Sequence, residues 1–247
     1  MQGLAWVTGA GSGIGRETAR AFAKKGFKVA VSGRSREPLE ALAAEHPLID
    51  AFPLDVTNAE QVAETARQIE AEHGPIDIAV FGAGNYHPVS ADKFMAEEFR
   101  AMMDVNYMGV IHGLAAVLPN MRARQKGHVA WIASVAGYCG LPKAAAYGPT
   151  KAALINLAES LKPELARDHI AVSLINPGFV KTPLTAQNDF PMPFLMEAEE
   201  AGRLTVDGLI RRKFEIAYPW PFVMMMKIMR ILPYSLFFRI ISGQVMR

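Results

Sequence analysis

Residues 4–15 read LAWVTGAGSGIG, an apolar run that leads into a glycine-rich turn. The run predicts a buried strand, and a helical pattern follows the turn. Backbone N–H groups and the helix dipole at the start of such a helix favour a bound pyrophosphate. Glycine suits this place because a side chain would block the tight turn and the approach of a phosphate. The spacing, Gly9-x3-Gly13-x-Gly15, departs from G-x-G-x-x-G, so the turn by itself is also compatible with a plain strand-to-helix connection.

Short apolar runs continue to alternate with helical patterns as far as residue 218, which is typical of βαβ units around a parallel sheet. The sequence has no internal repeat and no linker, which favours a single domain over residues 1–247. Asn58, followed by Gln61, predicts an N-cap with a variant of the capping box. The predicted fold is a doubly wound α/β domain, with a mainly parallel, seven-stranded sheet flanked by helices on both faces. Strands are expected over 4–8, 27–32, 49–54, 76–81, 128–133, 170–176 and 214–218, and helices over 14–25, 37–45, 58–73, 99–124 and 146–167.

Composition excludes several classes of function. The 26 basic and 24 acidic residues give a net charge of +2, which does not favour nucleic-acid binding. One cysteine, Cys139, allows neither an internal disulfide nor a multi-cysteine zinc site, and we predict no metal. The N-terminus lacks the basic and apolar regions of a signal peptide, so we expect a cytoplasmic protein.

The end of the second predicted strand indicates which dinucleotide binds. NAD-binding folds usually place an acidic residue here, where it accepts hydrogen bonds from the ribose 2′-hydroxyl. This chain has Arg34 and Ser35 instead, and the Arg34 guanidinium can pair with a 2′-phosphate. The sequence therefore predicts NADP(H) rather than NAD(H), with a solvated surface arginine as the alternative. Asp55 and Val56, after the third strand, are candidates for the adenine end, although Asp55 is equally compatible with a turn aspartate.

Tyr147 and Lys151 form the sharpest chemical feature of the sequence. Four residues along a helix return to the same face, so the phenol and the ammonium can converge on one small volume. A phenol with a pKa near 10 is a poor acid or base at neutral pH. We expect the ammonium and an oxidised nicotinamide to lower that pKa. By spacing alone, the pair is more often an ordinary surface pair.

The motifs together resemble the short-chain dehydrogenase/reductase superfamily, in its single-domain, NADP-preferring branch. The resemblance runs from Leu4 to about Thr182, and the motifs follow the family's order. They are the glycine turn from Thr8 to Gly15, VNYMG with Asn106, IASVAG with Ser134, Tyr147-x3-Lys151, and PGFVKT from Pro177 to Thr182.

The resemblance implies a Rossmann-type fold and a role for each matching residue. Tyr147 would be the general acid in reduction and the base in oxidation, and Ser134 would bind the carbonyl oxygen. Lys151 would bind the nicotinamide ribose, and Asn106 would hold a water of a proton relay. The cofactor-binding set would comprise Gly9, Ser12, Gly13, Ile14, Gly15, Arg34, Ser35, Asp55, Val56, Ala83, Gly84, Tyr147, Lys151, Pro177, Gly178 and Thr182.

The chain departs from the family after the fourth strand. Relatives commonly have Asn-Asn-Ala-Gly there, whereas this chain has Phe81-Gly82-Ala83-Gly84. Ala83 and Gly84 keep the small residues that let a cofactor approach. Two amide side chains that would tie neighbouring strands are lost, which puts in doubt the local rigidity more than the catalysis.

The segment over about 183–205 is the expected substrate loop. It is apolar and contains prolines but no basic cluster, which favours a hydrophobic or lipid-like carbonyl or alcohol over a charged metabolite. The predicted function is the NADP(H)-dependent interconversion of a carbonyl and a secondary alcohol. The alternatives are a non-catalytic NADP(H) sensor on the same fold and a sugar-nucleotide epimerase, which would need a larger substrate domain.

Two surfaces predict contacts beyond the small-molecule substrate. The helices around 105–118 and 152–165 are apolar over more than one face, which favours a homodimer or homotetramer. The hydrophobic tail over about 219–247 contains Lys227, Arg230, Arg239 and Pro233, so a membrane span is not expected. It is interpreted as packed on the protein as a pocket wall or dimer contact, with peripheral contact to a membrane as the alternative.

Overall fold

The computed structural model describes residues 2–188 and 190–245. Of the segments predicted from the sequence, Met1, the loop residue Asp189 and the tail residues Met246 and Arg247 lie outside the described residues.

Seven parallel strands form one sheet in the order β3-β2-β1-β4-β5-β6-β7. This confirms the predicted doubly wound α/β fold. The central strands are buried on both faces, as expected for a parallel sheet covered by helices on each side. The strands are β1 (Leu4–Thr8), β2 (Lys28–Ser32), β3 (Ile49–Ala51), β4 (Ile78–Phe81), β5 (Gly127–Ile132), β6 (Ile170–Pro177) and β7 (Glu215–Tyr218).

The third strand is shorter than predicted, since its regular pairing with β2 ends at Ala51. The Phe52 N–H still donates to the Val31 carbonyl at 2.9 Å, and the Leu54 N–H to the Gly33 carbonyl at 3.0 Å. Hydrogen bonds to β2 and to the turn after it thus continue past the end of the regular strand.

The helices follow the predicted alternation, with three more after residue 197. They are α1 (Gly13–Lys24), α2 (Arg36–Ala44), α3 (Ala59–His73), α4 (Ala96–Met103), α5 (Gly109–Ala123), α6 (Tyr147–Ala166), α7 (Ala198–Ile210), α8 (Trp220–Ile231) and α9 (Tyr234–Val245). The expected substrate loop is irregular only as far as Glu197, because α7 begins at Ala198 and packs its buried face on α1. The hydrophobic tail forms α8 and α9.

The capping box is only half as predicted. The Asn58 side chain caps α3 by accepting a hydrogen bond from the Gln61 N–H at 3.0 Å. The Gln61 side chain accepts from the Asp55 N–H at 2.9 Å instead of returning to Asn58. It therefore ties the helix to the turn after β3.

Helices α4 and α5 form one continuous helix through a π-helical turn over Asp104–Met108. By length and composition alone, Ala96–Ala123 could cross a membrane. Its inner face, however, packs on the sheet through Val110, Leu114, Val117 and Met121, so we interpret it as a core helix. With α3 and α6 it covers one face of the sheet, and α1, α2 and α7 cover the other.

Candidate active site

The carboxyl ends of the parallel strands meet at one edge of the sheet. The glycine turn follows β1, Phe81-Gly82 ends β4, Ser134 follows β5, and Pro177 ends β6. Open α/β sheets bind ligands at this edge. The fold thus gathers the sequence-predicted motifs in one region.

Three glycines of the first turn leave no room for a side chain. Gly9 has φ +69°, and a Cβ there would lie 2.5 Å from the Ala83 nitrogen. Gly13 has φ +56°, and its Cβ would lie 2.9 Å from Thr182 Cγ2. A Cβ on Gly15 would collide with the Gly9 carbonyl oxygen. The turn therefore holds the start of α1 against β4 and brings Thr182 beside it, which fits a cradle for a pyrophosphate.

Arg34 and Asp55 lie close together at the edge of this cradle. Arg34 is exposed, and its neighbour Gly33 lies beside Gly11 of the turn. The pKa of Asp55 is held below its usual value, mainly because the Thr57 N–H donates to the carboxylate at 2.9 Å; the Arg34 charge adds to the shift. The turn role of Asp55 is thus observed, and its adenine contact stays a prediction.

Four other residues of the predicted cofactor-binding set lie around the same edge of the sheet. Ser35 precedes α2 but makes no side-chain cap, and Ser12 likewise precedes α1 without one. The Val56 side chain is buried under Gly109, and its carbonyl lies 2.8 Å from His112 Nδ1. Ile14 packs against the second core cluster. The cofactor contacts of these four residues stay predictions.

Ser134 and Tyr147 meet beside the end of β6. Ser134 Oγ accepts from the Ala136 N–H at 3.1 Å and lies 3.4 Å from the Pro177 carbonyl oxygen, to which it donates. Burial raises the pKa of Tyr147 to about 12, although its hydrogen bond with Ser134 acts in the opposite direction. The protein's own groups therefore raise this pKa, contrary to the expectation that Lys151 would lower it. Tyr147 is a protonated phenol at neutral pH.

Lys151 is buried beneath Tyr147. Its Nζ donates to the Ile132 carbonyl at 2.8 Å and lies 5.4 Å from the centroid of the Tyr147 ring. Burial lowers the pKa of Lys151 to about 7. Burial therefore favours the neutral amine, and the influences on the pKa of Tyr147 are its own burial, Ser134 and Tyr86.

Asn106 reaches the same place from the π-helical turn. Its amide donates to the Asn85 carbonyl at 2.9 Å and to Thr150 Oγ1 at 3.1 Å, and its Oδ1 accepts from the Asn85 N–H at 2.6 Å. A Cβ on Gly84 would lie 3.6 Å from Asn106 Oδ1 and 3.8 Å from Lys151 Nζ. Asn106, Gly84 and Lys151 therefore converge, and the water relay assigned to Asn106 stays a prediction.

The departure at residues 81–84 is accommodated by close packing. Phe81 is buried and meets Trp6 edge-on at 6.0 Å between ring centroids. Gly113 of α5 provides the space for the Phe81 ring. The Gly82 N–H lies 3.2 Å from both the carbonyl and the hydroxyl oxygen of Thr8. Apolar packing thus replaces the amide ties between the strands.

Sequence reasoning missed two aromatic walls of the site. The Tyr86 ring lies edge-on to Tyr147, with centroids 5.0 Å apart. Phe222 of α8 stacks on Phe179 at 5.2 Å and leaves no room for a side chain at Gly178. Tyr86 could have been found, since it follows the end of β4. Phe222 is far from every motif, so the sequence predicts a tail that can form a pocket wall but does not identify Phe222 as the residue that reaches the site.

Comparisons with known proteins agree with this geometry. The family model described as "short chain dehydrogenase" matches residues 4–191. A Myxococcus xanthus protein named "Uncharacterized oxidoreductase" is 39% identical over 237 residues, which cover 94% of each chain.

Two solved structures share the fold. A short-chain dehydrogenase/reductase from Burkholderia phymatum in complex with NAD has a TM-score of 0.83 at 24% identity, over 91% of each chain. An alcohol dehydrogenase from Thermococcus sibiricus with 5-hydroxy-NADP has a TM-score of 0.77 at 26% identity, over 87% of this chain and 95% of that one.

Burial of Lys151 predicts a particular pH dependence of stability. The pKa of Lys151 is about 7 in the folded chain and about 10.4 in an unfolded one. Between these values the unfolded chain binds more protons, so stability rises with pH. We expect the free energy of unfolding of the wild type to rise relative to Lys151→Met by up to about 1.4 kcal/mol per pH unit between pH 7 and 9. Urea unfolding of the cofactor-free proteins at each pH measures this difference in unfolding free energy.

The exposed Lys181 provides the control, since Lys181→Met should follow the wild type. If the unfolding free energies of the wild type and Lys151→Met changed in parallel with pH, burial would not lower the pKa of Lys151.

Proposed function

The chain belongs to the short-chain dehydrogenase family and is a nicotinamide-dependent oxidoreductase, and from that premise we propose that it uses NADP(H) to interconvert a carbonyl and a secondary alcohol on a hydrophobic substrate. The observation that carries the proposal is the convergence of Ser134, Tyr147 and Lys151 beside the glycine turn.

The bound nicotinamide would supply or accept the hydride. Tyr147 Oη would donate the proton to the substrate oxygen in reduction; burial keeps this phenol protonated at neutral pH, with a pKa of about 12. Ser134 Oγ, hydrogen-bonded to Tyr147, would hold the same oxygen and orient it. Lys151 Nζ, with a pKa of about 7, can gain or lose a proton near neutral pH and so support reprotonation of the tyrosine.

The preference for NADP(H) over NAD(H) rests on Arg34. It is exposed beside the glycine turn, and its charge already acts on Asp55. A 2′-phosphate at this edge would meet a guanidinium and no carboxylate at the end of β2.

The hydrophobic substrate is supported by the walls of the cleft. Phe179 lies between Phe222 and Phe190, with centroid distances of 5.2 and 6.0 Å. Tyr86 adds a fourth ring next to Tyr147. Such walls favour an apolar chain next to the carbonyl.

The proposed assembly is a homodimer or homotetramer of a cytoplasmic protein. Val105, Tyr107 and Leu118 on the long helix, and Leu157 and Leu161 on α6, are only half-buried. Apolar groups left at the surface of two helices suit a contact with a second copy.

Replacing the proposed acid tests the chemistry. Tyr147→Phe should keep NADPH binding and lose at least about 10²–10⁴-fold in turnover, the usual contribution of general acid catalysis. The measurement is NADPH consumption over ketones of graded chain length, with cofactor binding followed separately. Turnover within a few-fold of the wild type would refute the role of Tyr147. Wild-type binding of NADPH without turnover of any ketone would favour the non-catalytic sensor.

Replacing Arg34 tests the choice of cofactor. Arg34→Ala should weaken NADPH binding by about 1.5–3 kcal/mol, the worth of a hydrogen bond to a charged group, and leave NADH binding almost unchanged. Titration of both cofactors measures it. Arg36→Ala is the matched control, because Arg36 is exposed nearby but pairs with Glu40. Equal losses for both cofactors would mean that Arg34 only supports the fold.

Sedimentation tests the assembly. The wild type should sediment as a dimer or tetramer at micromolar concentration. The double variant Leu157→Glu/Leu161→Glu should sediment as a monomer, because the new carboxylates would be buried in the proposed contact. Ile210→Glu, at an exposed position on α7, is the control. A monomeric wild type would contradict the proposal.

A further inference from the structure

Helix α8 carries an apolar stripe on its outward face. Trp220, Met224, Ile228 and Ile231 are exposed by 71, 38, 52 and 79%. They recur at intervals of four, four and three residues, which places them within about 80° of one another around the helix. This set is called the outer stripe below.

The opposite face of α8 is fully packed. Phe222, Val223 and Met226 are buried in the larger core cluster. Lys227 of the same helix donates to the Glu215 carboxylate and fixes α8 on β7. The helix is therefore anchored through one apolar face while it presents a second one outward, where a surface helix of a soluble domain is normally polar.

Helix α9 extends this exposed apolar surface. After Pro233, the side chains of Tyr234, Leu236, Phe238 and Ile240 are exposed, and the Tyr234 and Phe238 rings stack at 5.9 Å. Among its described side chains, residues 234–242, that of Phe237 is the buried one. The two helices thus expose a larger apolar area than isolated surface residues would produce.

The charge of this region is of one sign. The sequence after Glu215 contains four basic and no acidic residues, whereas the chain up to that point has more acidic than basic ones. Arg230 and Arg239 are exposed, and among the described residues neither forms an ion pair. Cations beside exposed aromatic and aliphatic groups match the interface of an anionic bilayer.

We propose that α8 and α9 dock the protein on an anionic lipid bilayer. Each helix has twelve residues and a length of about 18 Å, too short for a hydrocarbon core of about 30 Å. They lie in the interface, with the outer stripe, Tyr234 and Phe238 in the acyl boundary and Arg230 and Arg239 at the headgroups.

The docked helix is also a wall of the cleft. Phe222, on the inner face of α8, stacks on Phe179 next to Gly178. In this proposal a carbonyl compound held in the bilayer would enter from the side of α8, next to Phe179 and Gly178. This step rests on the function proposed above, whereas the docking itself does not.

Trp220 offers a direct probe of docking. The other two tryptophans, Trp6 and Trp131, are fully buried, so a change in emission on adding vesicles comes from Trp220. Vesicles of mixed phosphatidylglycerol and phosphatidylcholine should shift the emission to the blue and float the intact protein. Trp220→Phe should remove the shift and retain flotation. No shift and no flotation of the intact protein would overturn the proposal.

Two variants separate the apolar and electrostatic contributions. Met224→Gln/Ile228→Gln/Ile231→Gln should abolish flotation, and Ile210→Gln, an equally exposed apolar residue on α7, should not. Arg230→Gln/Arg239→Gln should weaken partitioning on anionic vesicles by about 30-fold, about fivefold for each arginine. Arg67→Gln/Arg211→Gln is its control. If partitioning on anionic vesicles changed neither in Arg230→Gln/Arg239→Gln nor with increasing salt, binding to an anionic surface would be refuted.

Sedimentation and turnover assign the remaining outcomes. Met224→Gln/Ile228→Gln/Ile231→Gln is called the outer-stripe variant. If the wild type is an oligomer that does not bind vesicles and the outer-stripe variant is a monomer, a second copy covers the stripe and the proposal fails. With NADPH, the outer-stripe variant should keep its kcat on a short, water-soluble ketone and show a raised KM for a long-chain ketone held in vesicles. If the wild type floated with vesicles but turned over neither ketone, the proposed function would be refuted and the proposed docking would stand.

Discussion

The contact of Gly9 with the backbone of Gly82 and Ala83 fixes the geometry of the cleft. A Cβ at Gly9 would lie 2.5 Å from the Ala83 nitrogen, so β1 and β4 can approach at their carboxyl ends only with glycine there. Gly15 packs directly against the Gly9 carbonyl, which places the start of α1 next to the ends of β1 and β4. The helix start, the end of β4 and Thr182 are thereby held together. A cofactor bound in this corner would reach along the sheet edge toward Ser134 and Tyr147.

Burial then determines the protonation of the chemical groups. Lys151 has the Ile132 carbonyl as a partner but no carboxylate, so desolvation is the dominant influence and lowers its pKa to about 7. The same desolvation raises the pKa of Tyr147 to about 12. At neutral pH the phenol therefore carries the proton that reduction requires, although burial also makes that proton harder to release. Acting as a base in oxidation would require an additional positive charge near the phenol, which an oxidised nicotinamide would bring.

Sequence patterns predicted the secondary-structure elements that depend mainly on interactions between residues close together in the chain. The strands and helices up to α6, and the parallel sheet, follow from hydrophobic periodicity and from the glycine turn. The π-helical turn at Asn106 was not foreseen, because DVNYM contains neither proline nor glycine and the extra residue per turn is stabilised by Asn85 and Thr150, which are distant in sequence. The rise that burial causes in the pKa of Tyr147 was not predicted, because spacing reveals a neighbouring lysine but not how deeply both groups are buried; the effect of an oxidised nicotinamide stays a prediction. The return of Phe222 to Gly178 depends in the same way on tertiary packing.

The C-terminal helices connect the chemical end of the sheet with the outer surface. Glu215 of β7 accepts hydrogen bonds from Asn176 of β6 and from Tyr138, and it also pairs with Lys227 of α8. This half-buried network holds α8 in a fixed place although its outward residues are apolar. A helix that only closed the core would need no such outward residues, and exposing them to water is unfavourable. The proposed docking on an anionic bilayer would cover these residues while α8 stays fixed by its polar contacts. It would also place Arg230 and Arg239 at the headgroups.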